Sequence, residues 1–124
     1  MSVFPLRPRL SAVVATAFLF AGLPTGFGGS PHPAEVTGLK SGDSNMPAQI
    51  TFANRSARTI KVYWLDWTGK RVLYKTLKGG KEYLQLTFLH HPWLITDEDD
   101  NAWYLFYADG QPRRIDVIDP ALQP

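Results

Sequence analysis

Hydrophobic and polar residues alternate in short runs through the second part of the chain. Ala48 to Asn54 places Ile50 and Phe52 on one face. Thr59 to Asp66 (TIKVYWLD) repeats the pattern, with Ile60, Val62 and Trp64 on one side and Lys61, Tyr63 and Leu65 on the other. Thr68-Gly69-Lys70 turns the chain into a run at Arg71 to Thr76, and Lys78-Gly79-Gly80-Lys81 turns it into Glu82 to Phe88. Further runs occupy His91 to Thr96, Trp103 to Tyr107 and Arg113 to Ile118, the last two separated by Asp109-Gly110. A period of two in runs this short, with turn chemistry every eight to twelve residues or so, predicts an all-β antiparallel sandwich or barrel. No stretch carries a helical period.

The first part of the chain follows another plan. MSVFPLRPRLSAVVATAFLFAGLPTGFGGS opens with Arg7 and Arg9, continues with an apolar run from Leu10 to Leu23, and reaches Gly26-Phe27-Gly28. A basic start, an apolar stretch and a small-x-small site form the plan of a secretory signal peptide. The apolar run is shorter than the roughly 20 residues that span a bilayer. Residues 1–28 are therefore expected to be cleaved, leaving no stable membrane anchor and a secreted or periplasmic protein that begins near Ser30. Residues 29–47, rich in Gly, Ser and Pro, are expected as a flexible linker with His32 solvated inside it. The sandwich is expected over residues 48–119, with 120–124 as a tail.

Charge and composition narrow the function classes. The formal charge of +2 includes Arg7 and Arg9; without them, eleven basic residues face eleven acidic ones. A neutral domain without a basic stripe is not expected to bind nucleic acid. The absence of cysteine excludes a disulfide framework and a thiolate zinc site. The four tryptophans all lie beyond residue 63, more rings than so small a core needs, so some are expected at a recognition surface.

The densest candidate chemistry is FLHHPWLITDEDDN, residues 88–101. Adjacent histidines on a strand point to opposite faces and do not share an ion readily, so no metal is expected. The acidic run Asp97 to Asp100 reads as a solvated loop. No motif sets a nucleophile, a base and an orienting group together, so neither an enzyme nor a cofactor is expected. Asn54-Arg55-Ser56 has the form of a glycosylation sequon.

From Asn54 to about Asp97 the chain resembles, without a gap, the β-domain family of the von Hippel–Lindau (VHL) tumour suppressor. The matching features are Asn54-Arg55-Ser56 followed by Arg58, Trp64-Leu65 with Trp67 and Gly69, and Tyr74 with Thr76-Leu77; agreement of the sequon with the family's strand-end turn implies a structural role for it. His91, Trp93-Leu94 and Asp97 continue the match, and Asp109-Gly110-Gln111-Pro112 matches a further turn. The resemblance implies a seven-stranded sandwich that recognises 4-hydroxyproline in an extended peptide. Carried over by position, Trp64, Tyr74 and Trp93 would form the aromatic walls and floor of a pocket. His91 would bond the hydroxyproline hydroxyl, with Thr87 at the place of the family's serine partner. Tyr74 would also bond the hydroxyproline backbone carbonyl, and backbone groups near Leu86 and Phe88 would contact the peptide.

Two departures bear on partners. Leu86 and Phe88 stand where the tumour suppressor carries a histidine and a tyrosine. No counterpart of its helical domain is recognised, so elongin and cullin ligase partners are not expected. The reading is thus a non-enzymatic, exported module for hydroxyproline-containing peptides or proteins. The alternative is a structural or assembly domain that pairs through a sheet edge without hydroxyproline recognition. A third possibility, carbohydrate binding, would need an open aromatic platform rather than a walled slot.

Overall fold

The computed structural model describes residues 28–123. The expected signal peptide lies outside these residues, apart from Gly28. Seven strands follow one short helix: α1 (Pro33–Val36), β1 (Pro47–Asn54), β2 (Ile60–Leu65), β3 (Arg71–Leu77), β4 (Glu82–Phe88), β5 (Pro92–Asp97), β6 (Ala102–Tyr107) and β7 (Arg113–Val117). They form two sheets, ordered β4-β1-β7 and β3-β2-β5-β6. The all-β fold expected from the alternating runs and the seven-stranded sandwich implied by the resemblance are the observed architecture, and each expected run falls on a strand. One pairing departs from the antiparallel expectation. The chain leaves the four-stranded sheet after β6 and enters the other alongside β1 in the same direction, so β1 and β7 pair in parallel.

The inward faces of the two sheets make the main core. Ile50 and Phe52 of β1 meet Ile60, Val62, Trp93 and Ile95 of the facing sheet, all almost fully excluded from water. The outward face of the four-stranded sheet is buried as well. Tyr63, Leu65 and Leu94 form a second apolar cluster there, closed by Leu39 from the segment before β1.

Residues 29–47 are therefore not a flexible linker, because they form a strap across that outer face. His32 is not free in solvent either. Its Nδ1 accepts from the Ala34 N–H and caps α1, while Glu35 accepts from the His32 N–H. Glu35 meets the Arg71 guanidinium at 2.8 Å and 2.9 Å, with both side chains about 1% exposed. Arg71 also donates to the Asp100 carbonyl. Further along, Ser41 Oγ donates to the Leu65 carbonyl, and Gly42 N–H donates to the His90 carbonyl. Gly69 permits the close crossing: its φ is +86°, and a Cβ there would lie 2.8 Å from the Leu39 carbonyl oxygen. The expected tail also folds back. Residues Pro120–Leu122 form a 3₁₀ turn, and the Gln123 amide donates to Tyr104 Oη.

Two loops are held by local side-chain capping, and one of them, the acidic run, differs from its sequence reading. Asp97 is buried, and its carboxylate accepts from Asp99 N–H, Asn101 N–H and Asn101 Nδ2. Asp100 bonds Lys61 Nζ and Tyr63 Oη, so the acidic run is a tied turn rather than a solvated loop. Asn54 is fully buried. Its Nδ2 donates to the Arg58 and Leu77 carbonyls, and its Oδ1 accepts from Ser56 N–H and Oγ. Its amide is committed to the turn, in keeping with the structural reading of the sequon.

Candidate functional site

The strands β3 and β4 are edges of different sheets, and the sandwich is open between them. A recess of about 170 Å³ lies in that opening. It gathers the five residues that the resemblance singles out, Trp64, Tyr74, Thr87, His91 and Trp93, together with Leu86 and Phe88. Trp67 joins them, although no role was assigned to it from sequence. Its position, three residues after Trp64 in the β2–β3 turn, was the available signal. It stands 50% exposed at the rim, with its ring edge-on to Trp64 at 5.7 Å and to His91 at 5.1 Å.

Local irregularities aim these side chains. The pairing of β2 with β3 shifts between Val62 and Tyr63, so Val62 faces Lys75 while Tyr63 faces Leu73. Tyr74 is the extra residue of this bulge, which turns a side chain out of the regular alternation. Its ring stands edge-on to Trp93 at 4.9 Å and to Trp64 at 6.2 Å, forming one wall and remaining half exposed. Trp93 pairs directly with Trp64 across β2 and β5. It is also a core residue, 2% exposed and packed in the main cluster, so the same ring serves the core and the recess floor. His90 and His91 are not on a strand, since β5 begins at Pro92. His90 takes a left-handed φ of 67° and turns the chain, which leaves His91 facing inward, buried beside Trp64.

The polar atoms of the recess divide into used and unused. Trp93 Nε1 donates to Thr87 Oγ1 at 2.8 Å. That contact fills an acceptor site on the hydroxyl, while the hydroxyl proton has only a long 3.4 Å approach to the Phe88 carbonyl. His91 Nε2 and Trp64 Nε1 are buried with no partner among the described residues. Burial lowers the His91 pKa from its ordinary value, neighbouring His90 lowers it further, and a hydrogen bond with the Gly42 backbone opposes both. The ring is thus neutral near pH 7. Nε2 is unpartnered, and in the neutral tautomer that carries its proton on Nδ1 it accepts. The recess therefore offers an imidazole nitrogen at His91, a donor at Trp64 and a hydroxyl at Thr87. Each unsatisfied buried group costs about 1–3 kcal/mol, and an entering polar group would relieve that cost.

The edge beside the recess is chemically definite too. Leu89 N–H donates to the Met46 carbonyl, and Asn54 N–H donates to the Lys81 carbonyl. In the β1–β4 register this assigns the odd-numbered β4 residues to bonding with β1. The backbone groups of Leu84, Leu86 and Phe88 consequently point to the free edge. Thr87, between them, turns its backbone to β1 and its side chain into the sandwich.

Residues 39–113 match the family model for the VHL beta domain. The match begins at Leu39, inside the strap and nine residues before the start read from the sequence pattern. It includes every residue of the recess and covers more than half of the chain. This family is one of non-catalytic binding domains that engage proteins, and the chain belongs to it: it is a VHL β domain.

Proposed function

We propose that this protein is a non-enzymatic, exported peptide-binding module that takes a 4-hydroxyproline ring of an extended peptide into the recess between β3 and β4. The observation that carries this reading is the pair of unpartnered buried atoms, His91 Nε2 and Trp64 Nε1, inside an aromatic recess. A volume of about 170 Å³ is below the roughly 300–1,000 Å³ typical of sites for larger small molecules. It suits one side chain, and three aromatic rings suit the flat apolar body of a proline. A hydroxyl on that ring would donate to His91 Nε2 and accept from Thr87 Oγ1–H, whose oxygen is already engaged by Trp93.

The edge geometry supports the same ligand. A peptide that adds antiparallel to β4 places the residue opposite Thr87 with its side chain toward the recess. That residue's own backbone groups point away from β4, because the outward groups of β4 belong to Leu86 and Phe88. An imino acid, which has no N–H, loses no ladder bond at this position. Tyr74, half exposed on the far wall, would bond the carbonyl that points away. The partner class is an extracellular or periplasmic protein that carries hydroxyproline, consistent with an exported domain.

Nuclear magnetic resonance of the mature protein tests this reading. Titration with a short hydroxyproline peptide is expected to shift the His91 imidazole Nε2 and the Trp64 indole N–H signals, with smaller shifts for the matched proline peptide. Unmoved signals at both sites, with peptide in excess, would count against it.

A further inference from the structure

The free edge of β4 carries a second feature. Leu84, Leu86 and Phe88 alternate along it, 49%, 68% and 41% exposed, and no residue from Tyr83 to Phe88 is charged. Exposed edge strands are ordinarily blunted with charge or proline against unwanted pairing. A groove of about 410 Å³ adjoins this face, bounded by Pro47 and Gln49 of β1 and by Gln111 and Pro112 of the β6–β7 turn. Its lining is uncharged throughout, and Leu86, Thr87 and Phe88 line both the groove and the recess.

We infer that the site selects peptides whose residues on either side of the hydroxyproline are apolar, and that Leu86 and Phe88 set this selection. The inference rests on the proposed hydroxyproline site and adds the chemistry of its flanks. Side chains of a strand alternate between faces. With the hydroxyproline opposite Thr87 and pointing inward, both neighbours must point to the outer face. In antiparallel register the following residue lies opposite Leu86 and the preceding one opposite Phe88. An apolar side chain at either place covers exposed hydrocarbon, and a long one extends over β4 toward the groove. A charged side chain there is desolvated against Leu86 or Phe88 with no charged residue from Tyr83 to Phe88 to meet it. The flanks supply affinity, and the recess supplies the discrimination between hydroxyproline and proline.

The test uses the full mature domain and short peptides with one central hydroxyproline, each flank being leucine, serine or aspartate. Leucine flanks are expected to bind roughly 1.5- to 5-fold tighter than serine at each position, the range of a favourable cross-strand pair, with aspartate weakest. Leu86→Lys is well tolerated at so exposed a position, and it should reverse the order at the following residue so that aspartate becomes preferred there. Leu86→Ser should flatten the order. The hydroxyproline-to-proline affinity ratio is measured in the same series. A ratio above one with no flank preference overturns the flank assignment alone. Retained flank preference with a ratio of one overturns the recess reading while leaving Leu86 and Phe88 as a peptide-binding edge. Absence of binding for every peptide overturns both.

Discussion

Replacing Glu35 by glutamine keeps the shape of the strap and removes one charge from a pair whose side chains are each about 1% exposed. Arg71 then stays buried with its carboxylate partner removed, although it still donates to the Asp100 carbonyl. Removing one partner of a buried ion pair costs about 3–5 kcal/mol, mainly because the other charge stays desolvated. That is a large part of the roughly 5–15 kcal/mol that stabilises a domain. With a urea dependence of about 1–3 kcal/mol per molar, the unfolding midpoint should fall by about 2 M. Tryptophan fluorescence reads the transition directly. The double variant Glu35→Leu with Arg71→Met replaces the pair by apolar side chains and is expected to recover most of the loss. A midpoint shift below about 0.3 M in Glu35→Gln would refute the reasoning. Residues 29–47 would then not be an integral part of the fold.

Other outcomes are specific to single residues. Asn54→Ala strips partners from the Arg58 and Leu77 carbonyls and from Ser56, so it should cost about 2–4 kcal/mol in urea unfolding. Wild-type protein secreted from a glycosylating host should show no added glycan at Asn54 by mass spectrometry; an occupied site would contradict its burial. The folded His91 pKa is lowered below its ordinary value near 6.5, so the unfolded chain takes the proton first as pH falls. The His91 contribution to stability is full above about pH 6.5 and is lost as pH falls through the folded pKa. The difference in unfolding midpoint between wild type and His91→Gln should therefore change across that window. The carboxylates of Asp97 and Asp100 are held low, against the opposing effect of burial, by hydrogen bonds and neighbouring cations. Their loss belongs to a separate, more acid range. Trp67→Ala, at a half-exposed rim position, should weaken peptide binding with little change in stability.

The strands were legible because each carries its own period of two, and Ile50, Phe52, Ile60 and Val62 announce the core without reference to anything distant. The recess was legible by position in a family pattern, not by local chemistry. What the sequence left hidden depends on pairings that no local rule contains. The strap reads as linker because its hold on the fold is one carboxylate, one leucine, one serine hydroxyl and a few backbone bonds, reaching from Glu35 to Arg71, from Leu39 to Leu94 and from Ser41 to Leu65. The parallel partner of β1 is set by how the chain crosses between sheets, which alternation does not encode. Asp97 looked solvated among four acidic residues, yet Asn101 four positions later was the sign of a side-chain-capped turn. The outward aim of Tyr74 comes from a bulge, a one-residue slip visible only once two strands are paired.

Whether the recess reads a hydroxyl on a proline ring is decided by calorimetry of the wild-type domain with two peptides differing only in that hydroxyl. The hydroxyl satisfies buried groups that plain proline leaves unpaired, worth about 1–3 kcal/mol, so hydroxyproline should bind roughly 5- to 150-fold tighter. Thr87→Val, which keeps the shape and removes one partner of the hydroxyl, should shrink that ratio. Equal affinity of the wild-type domain for the two peptides would contradict the account, and binding would then have to be sought along the free edge of β4.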